Sequence, residues 1–214
     1  MKKIILAAVI CLAAFSGKAQ SEKFVGAMKS NIAAIDSSFR NPSNLLTLAN
    51  TFERIAMAEK NQWLPYYYAA LLQVDYGFVS VDKSKTDMVA DKATELINKA
   101  DSLSPANSEI STIKSMIASC RLMVDPMQRY MEYGPISTAE IDNAIAQDPS
   151  NPRPYYLRGQ GLKYTPEQFG GGCKTAKEPL QIAVSKFATF KPASEISPNW
   201  GKERAQALLD GCNK

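Results

Sequence analysis

Apolar positions in this chain recur at spacings of three and four rather than two, the period of helices that bury one stripe. Phe24, Met28, Ile32 and Ile35 form the first stripe, which ends at Ser37-Ser38 and Arg40-Asn41-Pro42. Leu45, Leu48, Phe52, Ile55 and Ala56 form a second, reaching Lys60. Leu64-Pro65-Tyr66-Tyr67-Tyr68 opens a third; its proline suits a first helical turn, where the missing N–H has no intrahelical partner to lose. After a polar connector from Ser80 to Thr86, helices are predicted over 85–103 and 108–124. Asp125-Pro126 interrupts the second of these, and Met127 to Tyr133 reads as a short helical turn. Ser137, with Glu140 three residues on, has the spacing of a capping box and starts a helix to Gln147. Asp148-Pro149-Ser150-Asn151-Pro152 leads into a helical hairpin that reaches Phe190, with Gly170-Gly171-Gly172 in its turn. Ser197-Pro198-Asn199 is expected to cap a last helix from Trp200 to Gly211. No long stretch alternates with period two, so essentially no sheet is expected.

The helices repeat. Ala93, Ile97, Ala100 and Pro105 recur as Ser137, Ile141, Ala144 and Pro149 at a constant offset of 44, and Asn107 and Asn151 keep it. Pro65-Tyr66-Tyr67 recurs as Pro154-Tyr155-Tyr156 at an offset of 89. Ala176, Leu180 and Ala183 repeat the small-large-small spacing once more, with the proline displaced to Pro192. Fixed offsets of this kind mark stacked units that share one continuous core.

This pattern resembles the tetratricopeptide repeat family. Ala93-Ile97-Ala100-Pro105 carries its second-helix spacing, and Tyr155 with Gly159 its first-helix aromatic and glycine. Small residues let two helices approach while the large one fills the groove between them. The resemblance spans Leu45 to Phe190 and departs in period, since the family repeats near 34 residues and each unit here carries about ten more. It implies an all-α fold, an α-α superhelix built as a right-handed stack of helical hairpins, in one domain over residues 20–214. It also implies a concave groove, lined by first helices, that takes an extended peptide. In that register the groove residues are Tyr67, Arg153, Tyr156, Gln160, Lys163 and Tyr164. Arg, Lys and Tyr suit the anchoring of a peptide and its carboxylates.

Residues 1–19 stand apart. Lys2-Lys3, the apolar run Ile4–Phe15 and Gly17-Lys18-Ala19 before Gln20 have the order of a secretory signal peptide. The run is shorter than the roughly twenty residues that a bilayer span needs, so no transmembrane segment is expected after cleavage. Cys11 follows the bulky Ile10 inside the run, which argues against a lipidated cysteine. The leader holds Lys2, Lys3 and Lys18 and no acid, so its removal takes the formal charge from +4 to +1. A near-neutral chain has no electrostatic reason to bind nucleic acid or an anionic membrane.

Cys120, Cys173 and Cys212 remain in the exported chain, and an odd count allows one bridge with a spare thiol, an intermolecular link, or three thiols. A Cys173–Cys212 bridge would staple the last helix to its neighbour, worth roughly 4 kcal/mol on the chain-entropy model. Cys120 lies among Ile113, Met116, Ile117 and Met123, a core setting. The chain has no histidine, which excludes Ser-His and Cys-His catalysis, and its cysteines are too far apart in sequence to pair as metal ligands. Gly170-Gly171-Gly172-Cys173-Lys174-Thr175 lacks the glycine that a phosphate loop needs before Lys174. It reads as a turn with glycines at positive φ. No catalytic residue, cofactor or metal site is expected. The expected function is an exported scaffold of the periplasm or cell envelope that binds a protein or peptide. The alternative is a helical solenoid that holds a small molecule or lipid, its last hairpin closing over an apolar pocket.

Overall fold

Asn41, Asn107, Asp125 and Asn151 each turn a side-chain oxygen onto a backbone N–H two or three residues ahead, at Ser43, Glu109, Gln128 and Arg153. Such caps satisfy donors that a helix start leaves open. Pro42, Pro126 and Pro152 occupy the first helical position of their helices. In the computed structural model, which describes residues 22–213, ten α-helices follow: α1 (Glu22–Ala33), α2 (Ile35–Ser38), α3 (Pro42–Ala58), α4 (Trp63–Val79), α5 (Thr86–Leu103), α6 (Ser108–Leu122), α7 (Pro126–Gln147), α8 (Pro152–Tyr164), α9 (Cys173–Thr189) and α10 (Lys202–Gly211). No strand occurs among the described residues. The signal peptide expected over residues 1–19 lies outside them.

Sequence neighbours pack as neighbours: α3 on α4, α4 on α5, α6 on α7 and α8 on α9. The first helices of successive pairs also meet, α4 with α6 and α6 with α8, so they form an inner layer behind which α5, α7 and α9 stand. The offset of 44 is the step from α5 to α7. Ala93, Ile97 and Ala100 are buried on α5, Ile141 and Ala144 on α7, and Ala176, Leu180 and Ala183 on α9. The offset of 89 is the step from α4 to α8. Helix α4 is buried on nearly every side, with Tyr67, Tyr68, Leu72 and Val74 at 2% exposure or less. That explains why its sequence reads as apolar all round rather than as a stripe.

Gly159 on α8 marks the closest helix approach in the last pair. A Cβ there would come within 2.5 Å of the Leu180 side chain on α9. The turn after α8 holds Gly170 and Gly172 at φ of 83° and 87°, and Gly171 passes so near Thr165 that a Cβ would overlap its carbonyl. Cys173, opening α9, is bonded to Cys212 just past α10, while Cys120 is a free, buried thiol.

Two local expectations are corrected. Helix α7 is continuous through Pro135, so Ser137 is not a cap but a mid-helix residue whose hydroxyl meets those of Ser115 and Ser119, both at 2.9 Å. A proline forfeits one backbone hydrogen bond, and packing along the whole of α6 offsets that loss. Ser197-Pro198-Asn199 does not cap the last helix either. Gly201, at φ 103°, precedes α10, which leaves residues 190–200 as a non-helical strap.

Gly159→Ala tests the close approach of α8 and α9. Helix propensity alone favours alanine by about 1 kcal/mol, yet overpacking against Leu180 costs about 1–3 kcal/mol. The expected net result is a lowered thermal midpoint, measured by circular dichroism.

Candidate functional site

The inner layer converges on one buried charge. Asn151 caps α8 and so places Arg153 in its first turn, where the side chain is fully buried. Its guanidinium donates to Glu109 Oε1 on α6 at 2.8 Å and to the carbonyl of Pro198 in the strap. Glu109 takes a further 3.1 Å bond from Asn151 and a 3.2 Å bond from the Tyr67 hydroxyl of α4. Trp200 then donates its indole N–H to Tyr67 Oη at 2.8 Å. The Arg153 cation lies 4.8 Å from the Phe190 ring centroid and 5.3 Å from that of Trp200, close enough for attraction to both π faces. Burial raises the pKa of Glu109, and Arg153 only partly opposes that rise. Burial likewise raises that of Tyr67, with Glu109 adding to it.

This geometry places the residues expected to hold a partner peptide. Tyr67, Arg153 and Tyr156 are buried, and what lies on them is the chain's own C-terminal strap. Tyr68 donates to the carbonyl of Ile196, and the Tyr156 ring meets Trp200 edge-on at 6.4 Å. Gln160 donates to Tyr156 Oη, and Lys163 donates to the carbonyl of Leu208 on α10. Tyr164 stands apart, 70% exposed. Tyr67, Arg153 and Tyr156 therefore lie beneath the strap, while Gln160 and Lys163 are half-buried, the latter against α10. Tyr67 and Tyr156, equivalent positions of the repeat, close on the same tryptophan. Sequence reasoning missed Glu109, Asn151 and Trp200. Asn151 carried a signal, since it repeats Asn107 at the same offset and both cap first helices.

A second buried acid lies nearby. Asp75 on α4 is 6% exposed, and burial pushes its carboxyl up to about 7, with the Arg204 charge pulling it back less.

Two hollows remain open outside. One, of about 350 Å³, lies among α5, α6 and α7, with Ile97, Ile117, Ala118 and Ile136 as apolar lining and Lys114 and Arg121 beside them. Lys114 is paired to Asp101 and Arg121 to Asp91, each at 2.7 Å. The other, of about 570 Å³, lies between α9 and α10, lined by Val184, Phe187, Ala188 and Ala207 with Lys202 and Asp210. Both are shallow and open to solvent. Among the described residues, no three His, Cys, Asp or Glu side chains gather to hold a metal ion, and no helix is long and apolar enough to cross a membrane.

Fold and site together define an all-helical stack of hairpins whose inner face is covered by its own tail. A solved structure with this fold is the HusA haemophore from Porphyromonas gingivalis, with a TM-score of 0.81 and 36% sequence identity over 92% of this chain and 94% of that one. At that identity and coverage, the chain belongs to the same family as that haemophore. No family model and no curated protein matches the chain, so the tetratricopeptide likeness stands as a likeness of helical pairs.

Two variants test the buried charges. Glu109→Gln leaves Arg153 without its counter-charge and should cost about 3–5 kcal/mol in urea unfolding, whereas E109M/R153M should recover most of that loss. For Asp75, the folded chain holds its proton more tightly than the unfolded chain does. Its contribution is therefore unfavourable at high pH, and stability should fall as pH rises from about 4 through about 7. Asp75→Asn should flatten that fall, gaining at most about 4 kcal/mol near neutral pH and nothing at acid pH, as read from paired denaturation curves.

Proposed function

We propose that this chain is an exported, non-enzymatic carrier of a small ligand, and that the ligand is haem or a closely related porphyrin. The observation that carries the reading is the 36% identity to a haemophore along almost the whole of both chains. The fold agrees with a small cargo rather than a peptide. An outside peptide would have to displace a strap held by Arg153, Tyr67, Tyr68 and Tyr156. Export is supported by the leader pattern and by the Cys173–Cys212 bond, which belongs to oxidising compartments.

Haem recognition draws on an apolar surface for the ring and cations for the propionates, with a protein ligand to the iron in some carriers. The chain has no histidine, so an imidazole ligand is not available to the iron.

The test is titration of the exported protein with hemin, following the porphyrin absorption band. The expected result is saturable binding at one stoichiometry, together with a haem-shifted mass in native mass spectrometry. Absence of saturable binding would return the protein-scaffold reading to the front.

A further inference from the structure

Helix α10 is lightly packed. Of its ten residues, only Ala205 and Leu209 are buried. Lys163 of α8 supports its far end by donating to the carbonyl of Leu208 at 2.9 Å. Arg204, in its first turn, lies 4.9 Å from the Phe39 ring centroid, with the Tyr156 hydroxyl beside it. A helix of this length does not hold its shape alone in water, where isolated helices need about 12–15 residues. It keeps that shape by packing on α8 and α9, and the covalent part of the support is the Cys173–Cys212 bond.

The bond is placed where a reagent can reach it. Both of its cysteines are half-buried, whereas Cys120 is fully enclosed. The loop it closes, with a sequence separation of 39, takes in the strap and α10. The strap has anchors of its own: Ile196 accepts from Tyr68, Pro198 accepts from Arg153, and Trp200 donates to Tyr67. All three precede α10. Gly201 then forms a joint between strap and helix, at φ 103° and so near α9 that a Cβ would lie 3.1 Å from the Phe187 ring. Beyond that joint the disulfide secures α10 alone. Underneath are Val184, Phe187 and Ala188 of α9, one side of the hollow whose other side is Ala207 and its neighbours on α10.

We propose that the Cys173–Cys212 bond is a redox latch on α10. A dithiol reductant opens it, α10 turns away about Gly201 and unwinds, and the apolar face of α9 around Phe187 is uncovered while the strap and the inner layer stay in place. In the exchange, a thiolate of the dithiol attacks one of the two sulfurs, breaks the S–S bond and forms a mixed disulfide. The second thiol of the reductant then displaces the protein sulfur from it. Two electrons and two protons pass to Cys173 and Cys212, and the dithiol leaves as a disulfide. An oxidising compartment keeps the latch shut. Opening it converts the thiol state of the surroundings into exposure of an apolar face, with the core unchanged. The device does not depend on which ligand the protein carries.

The test treats the folded, exported protein with dithiothreitol, alkylates it with iodoacetamide and follows amide hydrogen exchange by mass spectrometry. Two alkyl groups should be added, at Cys173 and Cys212, with Cys120 unmodified because the core stays shut. Amides over 203–212 should exchange about tenfold faster or more than in the oxidised protein, while those of α4 and α6 keep their rates. C173S/C212S should show the same exchange pattern and no response to dithiothreitol. Resistance of the bond to dithiothreitol in the folded chain overturns the proposal, as does full protection of α10 once both cysteines carry the label. Alkylation of Cys120, or faster exchange in α4 and α6, overturns it too, since the bond would then clamp the whole fold.

Discussion

The Arg153–Glu109 pair is the constraint on which the arrangement of this protein depends. A charge with no exposed surface survives only with partners placed around it. Here they come from three parts of the chain: Glu109 from α6, Asn151 from the start of α8, and the Pro198 carbonyl with the aromatic faces of Phe190 and Trp200 from the strap. Arg153 Nε makes no hydrogen bond, so the rings and the remaining bonds must suffice. Tyr67 extends the set to α4 by bonding Glu109 and receiving Trp200. Close packing such as Gly159 against Leu180 sets the register of each helix pair, and the polar cluster joins the pairs and the strap to one another.

The same cluster decides where a ligand can go. A superhelix of helix pairs offers its concave face first, and that face is lined by α4, α6 and α8. Its polar residues are committed to the strap, and the disulfide and Lys163 tie down the helix that follows it. Surfaces made by second helices and turns are the ones left open to solvent. The helix that departs furthest from the repeat pattern is α7, which runs through Pro135 and exposes a row of methionines.

Most of the fold was legible because its signals are local. Asn and Pro at helix starts act within three residues, and the small-large-small spacing of Ala93-Ile97-Ala100 is a property of one helix face. The Cys120 thiol sits in the core, as its apolar neighbours suggested. What could not be read was non-local. The strap has no periodicity, and its partners Tyr68 and Arg153 lie 128 and 45 residues from Ile196 and Pro198. Register arithmetic found groove-lining residues, but no residue pattern announces that a chain will fill its own groove. Pro135 reads as a break because a proline is a local defect, while the packing that carries α7 across it is tertiary. Met127, Tyr130 and Met131 have the spacing of a core stripe, and only the fold shows that no helix covers them.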